Sequence, residues 1–382
     1  MRDKLLFFLW FFGIVCLFLY SYTQVDLNLT LSQNPAILSF QRYFQQIGFF
    51  QRPLSTLLFV SITTLLFVLY IIFLRAAKKR HITKKQIWML VLFAAIFLNF
   101  SYNAFSYDLF NYIFDAKIIT HYHLNPYMHR ALDFPGDPML LFMHWTHRLY
   151  PYGPTWLGLS VPLSFLGIGF FLPTLFLFKT LTTACFLGTA YFIGKILKLI
   201  SPANENFGIL FFALNPLVIV ESLVSGHNDI AMMFFAILAF YFLVNKKITS
   251  SIASLILSIG VKFATLFLIP VWIYALRSKK TEWEKVIFLS VVLMTIAVLV
   301  ATFRLNFQSW YWLYVLPFVS LIPKKYNLYL AGIVVSVFGV LNYVPFLYLG
   351  NWDAPVPTII FWSTTISIVL SLFIILTKYR KI

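Results

Sequence analysis

The sequence predicts an all-α polytopic membrane protein, on three observations: an apolar excess, its division into span-length stretches, and basic residues concentrated between them. Of 382 residues, 61% are hydrophobic and only 11% charged, with 44 Phe, 21 Tyr and 10 Trp, and mean hydropathy is +0.85. One water-soluble core cannot hide so much apolar surface. A span needs roughly 17 to 25 mostly apolar residues, and the stretches at about 4–22, 54–74, 87–106, 171–198, 207–225, 230–245, 285–303, 327–348 and 358–377 qualify or come close. A formal charge of +17 would point to nucleic acid if it were gathered on one soluble face. Here it lies in short runs between apolar segments, which excludes that partner and leaves membrane lipid as the surroundings.

Those runs set direction. "RAAKKRHITKK" (75–85), "NKK" (245–247), "RSKK" (277–280), "PKK" (323–325) and "KYRK" (378–381), with Arg2, Lys4, Lys195, Lys198 and Lys285, are cytoplasmic by the positive-inside rule. Both termini are then inside. Segments 23–53, 107–153, about 226–229, about 304–311 and 349–357 fall outside, and they carry Asp26, Asp108, Asp115, Asp133, Asp137, Asp229 and Asp353. The apolar start "MRDKLLFFLWFFGIVCLFLY" lacks a small-x-small cleavage pattern after it, so it reads as a retained first span. With no repeat, low-complexity tract or long polar linker, residues 1–382 are expected to form a single transmembrane domain. Cys16 and Cys185 lie in apolar stretches and read as small buried hydrophobes.

Two segments depart from simple spans. Residues 250–276 have cytoplasmic signals at both ends, so they should cross twice or re-enter, with Lys262 near the turn. Residues 153–167 are apolar but short and broken by proline, which suits an interfacial or partly inserted helix.

Acids are scarce enough that a close pair asks for a reason. In "SYDLFNYIFDAK" (106–117), Asp108 and Asp115 stand seven residues apart, near two helical turns, with Tyr112 between them on the same face. Partial burial beside a second acid raises a carboxyl pKa and suits a general base; the alternative is a pair of solvated loop acids.

The wider pattern joins "YDLFNYIFDAKIITHYHLNPYMH" (107–129), "DFPGDP" (133–138), "YPYGPTW" (150–156), "NPLVIVESLVSGHNDIAMMFFAILAFYFL" (215–243), "VKFATLFLIP" (261–270) and "WYWLYVLPF" (310–318). In this order they resemble the GT-C superfamily of polyprenyl-phosphate-sugar-dependent glycosyltransferases, specifically bacterial polyprenyl-phosphate-mannose-dependent mannosyltransferases. The resemblance covers most of residues 105–320. It implies a GT-C-like bundle of about 11–13 transmembrane helices with an outer-face catalytic loop at about 107–153. It further implies that Asp108 is the base on an acceptor hydroxyl, with Asp115 in reserve, and that Tyr112, Lys117, Asn125 and Tyr127 contact substrate. The family often has Asp-Gly-Arg or Asp-Gly-Lys where this chain has "DAK" (115–117), so Ala116 departs while Lys117 keeps the cation.

Other polar residues carry two readings each. Lys117 either holds a phosphate or pairs with an acid one turn away. His227, Asn228 and Asp229 at an outer mouth could hold sugar hydroxyls, His227 more than Asp229, or cap the span beginning near 230. Glu221, about two turns deeper, packs against a polar partner. Lys262 at membrane depth either meets a lipid phosphate or snorkels, and Arg304 is a further candidate for phosphate. Lys179 reads as snorkelling. Trp310, Tyr311 and Trp312 read as an interfacial belt or, less simply, a sugar-stacking surface. His121, His123, His129, His144 and His147 lack metal-ligand spacing, so no structural metal is expected; no cofactor is firmly implied, and a loosely held divalent cation stays open.

The expectation is therefore an inverting transfer of a hexose, mannose first, from a polyprenyl-phosphate donor to a glycan or glycolipid acceptor hydroxyl at the outer membrane face. A lipid-linked-sugar transporter or flippase is the alternative; it would string ionisable residues through mid-membrane positions, whereas here they gather at the ends of spans. An O-antigen polymerase or ligase would favour an outer loop dominated by Arg and His, and 107–153 is led by acids. The orientation is testable by labelling from outside: cysteine in place of Arg130 should react with an impermeant maleimide, and cysteine in place of Arg80 should not. The reverse pattern would overturn the topology.

Overall fold

The computed structural model describes residues 2–278, 280–322 and 325–377. Lys279, Lys324 and the run 378–381 used above for orientation lie outside the described residues, as does the side chain of Arg2. The chain is helical throughout: α1 (Arg2–Ser21), α2 (Pro35–Gln45), α3 (Arg52–Lys78), α4 (Lys84–Asn99), α5 (Asp108–Thr120), α6 (Pro154–Leu166) and α7 (Phe171–Ile200) form its first half. Next come α8 (Glu205–Ala213), α9 (Pro216–Ile219), α10 (Asp229–Val244), α11 (Ile248–Val261), α12 (Ile269–Arg277) and α13 (Trp283–Leu305). Then follow α14 (Leu316–Val319), α15 (Tyr326–Leu341), α16 (Val344–Leu349) and α17 (Val356–Leu376). No strand occurs among the described residues.

Local chemistry places the starts and breaks. Thr83 and Gln86 form a reciprocal capping box that opens α4, and Asn34 caps α2 with Pro35 at its first position. The expected single span 207–225 is bent instead. Pro216 can neither donate to the helix ladder nor let Asn215 stay helical, so α8 ends and the chain turns by 54°. Asn215 then accepts from Leu217 N at 3.0 Å and donates to Ser336 Oγ at 2.8 Å. One π turn, Val220–Val224, continues from α9.

Six helices among the described residues are long and apolar enough to cross a membrane, seven if the bent pair is one span. The chain is thus a polytopic all-α membrane protein. The expected count of about 11–13 is approached only by adding helices such as α4, α10 and α11, of 16, 16 and 14 residues. At 1.5 Å per residue these reach about 21 to 24 Å, short of a hydrocarbon layer of about 30 Å.

Two further segments are short or broken. Residues 248–277 form two arms, α11 and a 3₁₀ turn running into α12, that meet at Lys262, whose backbone is extended. The 13-residue α6 carries Pro162 inside it. Helix α10 packs between α7 and α11, and every residue from Gly208 to Met233 is buried. The polar end of that buried stretch is the site described below.

A backbone contact joins the loop after α5 to the Lys262 turn. Gly153 N donates to Val261 O at 3.2 Å, and a Cβ on Gly153 would collide with the carbonyl of Gly260. Gly153→Ala is therefore expected to destabilise by about 1 to 3 kcal/mol, as overpacking does, and to lower the apparent melting temperature in detergent. An unchanged melting temperature would mean that these backbones do not touch.

Candidate active site

Helix α5 begins where Ser106 Oγ accepts from Asp108 N at 3.1 Å, while Asn103 Nδ2 holds Ser106 O at 2.9 Å. Asp108 thus lies in the first turn, where the helix dipole favours a carboxylate. At 100° per residue Asp108, Tyr112 and Asp115 share a face and Lys117 lies opposite Asp108. Lys117 pairs with Asp137, twenty residues along the chain, and not with an acid one turn away. Asp137 also accepts from Tyr122 Oη at 2.7 Å and Met139 N at 2.9 Å, so this cation braces the loop.

The shared face of α5 meets the turn between the π segment and α10. Gly226, at φ +71°, makes that turn in a conformation side chains disfavour, and it delivers His227, Asn228 and Asp229 as a buried row. His227 sits between two carboxylates: Nδ1 is 3.5 Å from Asp108 Oδ2 and Nε2 is 3.3 Å from Glu221 Oε2. Trp310 stacks on the ring at 4.1 Å and 23°. Tyr343 Oη donates to Glu221 Oε1 at 2.8 Å. The imidazole contacts are ion-pair approaches without hydrogen-bond alignment, so both ring nitrogens and Glu221 Oε2 lack a well-directed partner.

Beside this row Asp229, fully buried, receives Lys262 Nζ at 2.8 and 2.9 Å. The ammonium also lies 5.5 Å from the Tyr152 ring centre and keeps 22% side-chain exposure. Its partner among the described residues is thus a protein carboxylate. Tyr112 donates to Asn228 Oδ1 at 3.3 Å and packs edge-on against Tyr152 and Trp156. Neither Asn228 nor Asp229 makes the side-chain cap the sequence allowed.

Three sequence expectations change. Lys179 does not snorkel: it is fully buried, donating to Val224 O at 2.7 Å, Ser101 Oγ at 2.9 Å and Leu223 O. It thereby satisfies carbonyls at the end of the π segment. Tyr311 and Trp312 are buried in the bundle and Trp310 is committed to His227, so the set is not a belt. Asp108 does not titrate high. Burial alone would raise its pKa, but His227, then Lys262 and Arg148, hold it below the usual carboxylate range. Burial does push Asp115 up to about 8. His227 itself, which burial would lower, is pushed up to about 9 by Asp108 and Glu221.

The remaining candidates lie apart. Asn125 and Tyr127 are exposed; Asn125 Oδ1 accepts from Tyr127 N at 3.0 Å, and Tyr127 Oη donates to Tyr152 O at 3.2 Å, so "NPY" buttresses the site loop. Arg304 is exposed near the end of α13 and pairs with no carboxylate among the described residues. Sequence reasoning missed Arg148, whose guanidinium lies 4.0 Å from the Trp145 ring centre and whose charge reaches Asp108. It also missed the His227 clamp, because Asp108 and Tyr343 lie more than a hundred residues away along the chain. The exposed Arg148 in an acid-led loop was the available signal. Among the described residues no group of three or more His, Cys, Asp or Glu could hold a metal ion; at His227 the two carboxylates flank opposite ring nitrogens.

Residues 11–278 match the family described as alpha-(1->6)-mannopyranosyltransferase, N-terminal domain. The chain belongs to that family. No curated protein and no solved structure matches it. As a member of a mannopyranosyltransferase family the chain is a glycosyltransferase, which accords with the resemblance read from its motifs. The family match contains Asp108, Asp115, Glu221, His227, Asp229 and Lys262, while Trp310 and Tyr343 reach the cluster from beyond it.

The charges of this mannopyranosyltransferase-family site fix how stability follows pH. The ion pairing of His227 is expected to be fully present below its ordinary pKa of about 6.5 and lost as pH rises through about 9. Asp115 binds a proton more tightly folded than unfolded, so its contribution is present below about 3.9 and is lost as pH rises through about 8. The melting temperature in detergent should thus fall between about pH 4 and 9. Asp115→Asn should remove the lower part of that slope and His227→Asn the upper; slopes unaltered by either change would overturn these assignments.

Proposed function

We propose that this glycosyltransferase moves a hexose, mannose by its family, from a polyprenyl-phosphate donor to an acceptor hydroxyl at the outer membrane face, with inversion, within a single domain. The observation that carries the reading is the exposure gradient across the charged cluster. Glu221, His227 and Asp229 are fully buried, whereas Asp108 keeps 17% side-chain exposure. It is the carboxylate of the His227 clamp that an incoming hydroxyl can reach. The charge pattern of the loops supports the outer face, and the lipid setting of the site supports a lipid-borne donor.

In the proposed reaction Asp108 accepts the acceptor's hydroxyl proton while that oxygen bonds to the anomeric carbon. The bond from that carbon to the phosphate oxygen breaks, and polyprenyl phosphate leaves with the electron pair. A low carboxylate pKa keeps Asp108 ionised before the transfer, and His227 orients it. Lys262, partly exposed despite its bond to Asp229, and Arg148 at the rim supply positive charge for the leaving phosphate. Tyr112, Asn228 and Asp115 line the neighbouring face as donors and acceptors for sugar hydroxyls. Asn125, Tyr127, Lys117 and Arg304 are not used in this scheme.

Asp108→Asn keeps shape but cannot take a proton. General-base catalysis contributes about 10²- to 10⁴-fold, so kcat with polyprenyl-phosphate-mannose should fall by that much with little change in donor KM. The base assignment fails if the variant retains more than about a tenth of wild-type kcat. Turnover with a nucleotide sugar and none with the lipid-linked donor would refute the donor assignment.

A further inference from the structure

We propose that Glu221, which makes no approach to the reacting atoms, is a positioning residue for the transfer, holding His227 as the fixed counter-charge of Asp108. This inference rests on the assignment of Asp108 as the reacting carboxylate.

Four groups from three parts of the chain form one line. Tyr343, at the junction of α15 and α16, donates to Glu221 Oε1 at 2.8 Å; Glu221 Oε2 lies 3.3 Å from His227 Nε2, and His227 Nδ1 lies 3.5 Å from Asp108 Oδ2. Both Glu221 and His227 have no side-chain exposure, and Asp108 alone of the three charged members reaches the surface. A buried carboxylate is costly unless a cation accompanies it, and here the cation available to Glu221 is the imidazole. The same imidazole is the direct ionic neighbour of Asp108. One ring therefore has to serve two acids, and its orientation is set from behind: with Nε2 turned to Glu221, Nδ1 is the only nitrogen left for Asp108. Trp310 stacked on the ring removes its freedom to tilt.

The other groups around the line leave this role to Glu221. Lys262 acts on Asp108 at longer range while committed to Asp229, and Arg148 acts from the rim. Tyr112, Tyr152 and Tyr311 face the same carboxylates as neutral phenols, and Tyr343 donates to Glu221. The charges of Asp108, Glu221 and Asp229 are matched by His227, Lys262 and Arg148. When the imidazole loses its proton that balance is gone: two carboxylates face a neutral ring, Asp108 tends to keep a proton, and the anionic donor is repelled. Glu221 keeps the imidazole protonated through the alkaline range, its carboxylate being one of the two that push His227 up to about 9.

The test is a pH profile beside a direct titration of the ring. In the wild type kcat/KM should fall on the alkaline side near pH 9. In Glu221→Gln, whose amide oxygen still accepts from Tyr343, that limb should move down by one unit or more, so that the loss of kcat/KM is smallest near pH 6.5 and grows about tenfold or more toward pH 9. Tyr343→Phe should shift it in the same direction by less. Carbon-13 histidine NMR, with His227 identified by its loss in His227→Asn, should show the imidazole pKa falling in step.

An activity loss in Glu221→Gln that is uniform across pH would overturn the proposal, as a merely structural role predicts. So would an imidazole pKa that falls while the kinetic limb stays in place, or one that does not move. The NMR titration reads the clamp without turnover. If the ring responds as expected while Asp108→Asn remains active, the base assignment has failed and the clamp has not.

Discussion

Each ionisable group in the buried stretch from Gly208 to Met233 has an opposite charge beside it, and the site follows from that pairing. From Gly208 to Met233 nothing is exposed, yet the stretch contains Glu221, His227 and Asp229. In water each would be solvated on its own; here each draws in a partner from elsewhere in the chain. Asp229 takes Lys262 from the turn between α11 and the arm that follows it, and Glu221 and His227 take each other, Tyr343 and Asp108. Segments more than a hundred residues apart are thereby brought to one end of the bundle. Lys179 does the same for backbone, donating to carbonyls that the end of the π segment leaves open.

The cluster also divides into a floor and a rim. Glu221, His227 and Asp229 are sealed, whereas Asp108 and Lys262 keep 17% and 22% exposure. Each reachable group is tied to a sealed group of opposite charge, which limits how far it can move when a substrate arrives. Preorganisation of this kind favours charge that develops in a transition state over charge already present in the ground state. It also explains why two aspartates on one helix face differ in behaviour: Asp108 has a cation against it, while Asp115, about two turns along the axis, has burial without a counter-charge.

Much of the fold was legible because span length, basic loops and proline breaks are local features. The turn at Lys262, the shortness of α6 and the common face of Asp108, Tyr112 and Asp115 all follow from spacing. What escaped was pairing across long sequence distance. Lys179 looked like a snorkelling cation because nothing near it in sequence is polar enough to receive it; its acceptors are backbone carbonyls of residues 223 and 224, which carry no sequence signature. The carboxyl pKa of Asp108 was misread for the same reason, since the nearest acid along the helix was visible and the imidazole against it was not. Glu221 was placed against a polar partner, and the partner proved to be two groups, one of them in the site.

The contact of Gly153 with Gly260 bears on how the two halves of this end can move. The loop carrying Tyr152 is joined backbone to backbone with the chain just before Lys262. Such a joint has no side-chain slack, and it sits one residue before Lys262, whose ammonium pairs with Asp229. The loop after α5 and the lysine turn are thereby coupled, so a bulky ligand that displaced one would shift the other and with it the position of a charge.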